Sequence, residues 1–86
     1  MTKKEIRSAI NKTVYQYAES LGYSVHDDND GSYVTFVKSG HSSGEEAIDY
    51  SRSRHETYVL NWASSETKAD AALIDEYAQE QVKKYL

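Results

Sequence analysis

Arg52, Arg54 and His55 stand together in a stretch of chain that is otherwise poor in positive charge. On an extended segment the two arginines share one face, and their planar guanidinium forks match a phosphate or a carboxylate. A plainer role for the same charges is to solvate a strand edge and discourage edge-to-edge pairing. With Lys3, Lys4, Arg7 and Lys12 of the basic first segment, they form an anion- or nucleic-acid-binding set. The opposite charge collects in Asp27, Asp28, Asp30, Glu45, Glu46 and Asp49. Six like charges can imitate a phosphate track and so hold a basic surface of another protein.

Other chemistries find less support. The absence of cysteine removes disulfides and thiolate zinc sites. Asp28, Asp30 and Gly31 echo a calcium loop, yet His26 stands in its first liganding position and Val37 where a bidentate glutamate belongs. His26, His41 and His55 lack the spacing of a helical metal site, so no metal and no cofactor is expected. There is no G-x-S-x-G elbow, glycine-rich phosphate loop or H-E-x-x-H, and His55-Glu56 is a lone pair whose side chains diverge on a strand. The reading is non-enzymatic.

Positioning these residues requires regular elements. Thr2 with Glu5 makes a capping box, and Ile6, Ala9, Ile10, Thr13, Val14, Tyr17 and Leu21 gather on one helical face before Gly22 ends the helix. Tyr23–His26 and Tyr33–Val37 read as strands of a hairpin whose polar turn, Asp27–Gly31, includes Asp30-Gly31. Residues 39–47 read as a loop, Ile48–Tyr50 as a short optional strand, and His55–Trp62 as a better one carrying Tyr58, Leu60 and Trp62 on one face. Ser64 or Ser65 caps a last helix with an apolar stripe of Ala71, Ile74, Ala78, Val82 and Tyr85. Lys83 and Lys84 suit its C-terminal end.

The order α-β-β-(β)-β-α predicts an α+β fold: a two-layer sandwich with an antiparallel sheet of three or four strands and both helices on one face. It resembles the double-stranded-RNA-binding domain in topology. The basic motif that family carries at the start of its last helix is replaced here by Ser64-Ser65-Glu66-Thr67-Lys68-Ala69-Asp70, so the resemblance implies no function. Most of the eight tyrosines suit core or core-edge positions. Tyr15 projects opposite Ile6, and Leu73 and Tyr77 lie off the stripe of the last helix, where they could meet a partner.

Eighty-six residues fit one domain, 1–86, with one thin core. No apolar run approaches a spanning helix and no signal-peptide pattern opens the chain, so a cytoplasmic protein without membrane contact is expected. The net charge of −4 is polarised, with +2 in residues 1–22 and −5 in residues 23–49. The leading expectation is a small acidic protein-binding module that uses Asp27, Asp28, Asp30, Glu45, Glu46, Asp49, Leu73 and Tyr77. Its character suits an inhibitor from a phage or mobile element that occludes a basic, nucleic-acid-binding surface of a host protein. The alternative is a nucleic-acid or anionic-ligand binder using Arg52, Arg54, His55 and the basic first helix. A homodimer that buries Leu73, Tyr77 or a free sheet edge is a third reading.

Overall fold

The capping box forms as the spacing of Thr2 and Glu5 requires: the Thr2 hydroxyl accepts from the Glu5 N–H at 3.2 Å, and the Glu5 carboxylate accepts from the Thr2 N–H. Helix α1 (Lys3–Ser20) follows, and Gly22, at φ +94°, takes the left-handed position beyond its end. The computed structural model describes residues 1–26, 33–38 and 47–86. Strands β1 (Tyr23–His26), β2 (Tyr33–Lys38), β3 (Ala47–Ser51) and β4 (Glu56–Tyr58) lead to helix α2 (Ser65–Tyr85). The predicted α+β order is therefore observed, with the optional strand present as β3. The expected Asp-Gly turn and residues 39–46 of the expected 39–47 loop lie outside the described residues, while Ala47 begins β3 instead of ending the loop.

The four strands form an antiparallel meander in the order β1-β2-β3-β4. Val34 stands opposite Tyr50, and Phe36 opposite Ile48, so their side chains share a face. That face meets Ile10, Val14 and Ala18 of α1 and Ala71, Ile74 and Ala78 of α2 in one buried cluster. Both helices thus cover the same side of the sheet and pack on each other. Tyr17 of α1 lies flat on Tyr77 of α2, with ring centroids 4.3 Å apart. At the far edge, Tyr23 Oη donates to Asp70 at 2.7 Å, and Lys38 pairs with Glu66 and Asp70.

Two expectations are corrected. Tyr15 is half-buried instead of facing away, with its ring edge-on to Phe36 and to Tyr50, 6.0 Å from each. Because α1 lies on the sheet and against α2 at once, it buries a wider arc than one stripe. The long strand His55–Trp62 shrinks to Glu56–Tyr58, and Tyr58, expected with most of the tyrosines at the core or its edge, is exposed. Thr57 and Val59 face inward, while Tyr58, Leu60 and Trp62 are exposed. In the turn before β4, His55 sits at φ +57°. The Thr57 N–H then donates to the Asp75 carboxylate at 2.9 Å, so α2 closes this sheet edge.

Candidate anion-binding site

Helix α1 presents Lys3, Lys4, Arg7, Ser8, Asn11, Lys12 and Tyr15 at spacings of three and four, which places them along one side of the helix. The turn between β3 and β4 brings Arg52 to that side. These residues line an open groove of about 790 Å³. Its lining holds five cationic side chains and, among the described residues, no carboxylate. Lys3 and Lys4 occupy the first turn of α1, where the helix dipole already contributes partial positive charge and favours anions over cations. Their placement costs helix stability and adds to the positive potential of the groove.

Arg52 is held from beneath. The turn bends by accepting bonds at Ser51: the Ser51 carbonyl takes the His55 N–H at 2.8 Å, and its hydroxyl takes the Arg54 N–H at 3.2 Å. Both helices then grip the turn, since Asn11 Nδ2 donates to the Arg52 carbonyl at 3.3 Å and Gln79 Nε2 to the His55 carbonyl at 2.6 Å. Asn11 must therefore turn its Oδ1 toward Tyr50, whose hydroxyl donates to it at 2.7 Å. With its one proton committed there, Tyr50 Oη accepts from His55 Nδ1 at 2.9 Å. The neutral imidazole consequently carries its proton on Nδ1 and bares a lone pair at Nε2.

Tyr50 is wholly buried and His55 is 3% exposed. His55 Nε2 has no hydrogen-bond partner among the described residues. Burial holds the imidazole below its ordinary basicity, and the positive charge of Arg7 adds to the effect. Burial likewise pushes the Tyr50 hydroxyl well above the usual phenol range, with smaller contributions from Tyr15 and Asp75. Both rings stay neutral at physiological pH. Their role is to hold the turn that carries Arg52.

No family model, curated protein or solved structure matches the chain.

The structure divides the Arg52, Arg54 and His55 set. Arg52 joins the groove, His55 is buried behind it, and Arg54 is exposed beside Tyr58 and Glu56 on the outer face of the sheet. The two arginines do not share a face because they lie in a turn and not on a strand. That outer face also carries Asp49, which accepts from the Thr35 hydroxyl at 3.2 Å, and an edge-to-face pair of Tyr33 and Tyr58. Of the other residues expected to meet a partner, Asp27, Asp28, Asp30, Glu45 and Glu46 lie outside the described residues. Leu73 is exposed, and Tyr77 is half-buried in its stack on Tyr17.

Helical spacing already sets Tyr15 beside Lys4, Ser8, Asn11 and Lys12, and the structure keeps them together. Sequence reasoning missed Tyr50 and Gln79 as supports of the site, because the bonds from Tyr50 to Asn11 and from Gln79 to His55 join residues distant in the chain. Among the described residues no cluster of histidine and carboxylate side chains is arranged to hold a metal ion. No described helix is long and apolar enough to cross a membrane.

Proposed function

We propose that this domain is a non-enzymatic binding module whose ligand is a phosphate-bearing anion seated in the groove between α1 and the β3–β4 turn. The observation that carries this reading is the convergence of Lys3, Lys4, Arg7 and Lys12 with Arg52, whose backbone is fixed by Asn11. Five cationic side chains lining one groove repel one another, and a polyanion relieves that repulsion. The test uses inorganic polyphosphate, which has charge but no bases, followed by calorimetric titration at low salt. Binding is expected for the native chain, with a loss of at least tenfold in Arg7→Glu and in Arg52→Glu and little change in Lys83→Glu on α2. Absence of binding at low salt, or equal binding by all variants, overturns the reading.

A protein partner is the second reading, favoured by the exposure of Trp62, at 65%, together with Leu60 and Leu73. Large apolar side chains in solvent are what a partner would cover. The inhibitor version leans on acidic residues of which only Asp49 is described. Affinity capture separates the two: a partner retained by the Arg52→Glu variant and lost by Trp62→Ala supports this second reading over the first.

A further inference from the structure

We infer that the cleft between α1 and the C-terminal half of α2 is a second binding site, which takes a long-chain carboxylate such as a fatty acid. It shares no lining residue with the basic groove, so this inference goes beyond the anion-binding reading and does not rest on it. Tyr17 stacks on Tyr77 while Ile6 shares a cleft with Lys84, so the two helices run antiparallel. Ile6, Ala9, Ile10 and Thr13 of α1 thereby meet Tyr77, Gln81, Lys84 and Tyr85 of α2 around an opening of about 620 Å³. Small-molecule sites span about 300–1,000 Å³ and are mostly apolar, with a few polar groups that fix orientation. Nine residues line this cleft, whereas a stable protein interface uses about 20–30 on each side. The cleft is sized for a small molecule.

Its two walls differ in chemistry. The α1 wall is apolar in Ile6, Ala9 and Ile10, and the Thr13 hydroxyl is already spent on the Ala9 carbonyl at 2.9 Å. The α2 wall carries Tyr77, Gln81 and Lys84 at spacings of four and three, which sets them along one side of that helix. Among the described residues, the Tyr77 hydroxyl, the Gln81 amide and the Lys84 ammonium have no hydrogen-bond or ion-pair partner. Tyr77 is engaged through its ring alone. Lys84 lies 5.5 Å from the centroid of the exposed Tyr85 ring, a weak contact at a solvated site that leaves N–H donors for an anion. An alkyl chain on the α1 wall and a carboxylate on the α2 wall satisfy both at once. Lys84 is the single charged side chain of the lining, which matches one negative charge in the head group. One carboxylate oxygen accepts from its ammonium, and the other is available to the Gln81 amide. A wholly apolar ligand would cover these donors without pairing them.

Calorimetric titration with dodecanoate, kept below its micelle concentration, tests the site. Saturable binding of dodecanoate is expected, with octanoate weaker by about fourfold for each buried methylene it lacks. Dodecyltrimethylammonium, which has the same chain and the opposite charge, should bind at least tenfold more weakly. Lys84→Glu should reverse that preference between head groups, and Ala9→Trp should abolish binding by filling the cleft. Both variants should bind polyphosphate with little change, so the two sites stand or fall separately. If Ala9→Trp does not fold, Lys84→Glu, an exposed change in the last turn of α2, decides with the two head groups. Absence of dodecanoate binding, equal binding of both head groups, or an affinity unchanged by Lys84→Glu overturns the inference. So does a dimer, seen by light scattering, that Ala9→Trp disperses, because a second copy of the chain would then fill the cleft.

Discussion

His55 concentrates the physical constraints of this molecule in one residue. It adopts a left-handed backbone, donates from Nδ1 to a buried tyrosine and, among the described residues, leaves Nε2 without a partner. A protonated ring there would bring a charge and a second donor into a site that satisfies neither. Its folded basicity lies below the ordinary value near 6.5, so between the two values the unfolded chain binds more protons. The contribution of His55 to stability is therefore complete above about pH 7 and declines as pH falls through about 6.5 toward the folded value, by up to about 1.4 kcal/mol per pH unit. Denaturant midpoints at pH 7.5 and 5.5 should show this decline. In His55→Asn, which tolerates the left-handed backbone and retains a donor, the decline should flatten. Parallel curves for the two proteins would remove His55 as its source. Tyr50→Phe tests the same relay from its centre. It strands the buried Nδ1–H of His55 and the Oδ1 of Asn11, and should cost about 1–3 kcal/mol with the ring packing intact. A midpoint unchanged by the loss of the hydroxyl would show that the relay adds nothing to stability.

At the scale of elements, what could be read from the sequence was what local chemistry decides. The start of α1 follows from Thr2 and Glu5, which are three residues apart, and its end from the backbone freedom of Gly22. A Cβ at Gly22 would meet no neighbouring atom, so Gly22→Ala measures backbone strain alone. A loss of about 1 kcal/mol is expected in a denaturant titration. A neutral result would mean that the chain leaves α1 by another route. The β3–β4 turn was not legible in this way. Alternation of Tyr58, Leu60 and Trp62 reads as a strand running to Trp62, but β4 ends at Tyr58, with Val59 packed against the core and those three side chains exposed. The shape of the turn depends on grips from Asn11 and Gln79, 41 and 24 residues away from the turn residues they bind. The candidate site was half legible for the same reason. The basic side of α1 is a helical spacing, whereas the arrival of Arg52 beside it is a tertiary event.

Across the whole molecule, the arrangement of charge opposes stability in one place, and that opposition can be measured without a ligand. Lys3 and Lys4 sit at the helix end that disfavours cations, and Arg7, Lys12 and Arg52 crowd the same groove. A set of cations kept merely for solubility would be dispersed or interleaved with carboxylates, as Lys38 is with Glu66 and Asp70. Replacing Lys4 with Gln should therefore raise the melting temperature, by about 1–3 °C at low ionic strength, because each like-charge neighbour costs a few tenths of a kcal/mol in a domain of this size. The gain should shrink as salt screens the groove. Replacing Lys83 with Gln, at the end of α2 where a cation is favourable, should lower the melting temperature instead. Opposite signs for two lysines of the same net-charge effect show that position, and not the overall charge of the chain, sets the response. Equal signs would show that net charge alone sets the response and would remove this energetic argument for a bound anion.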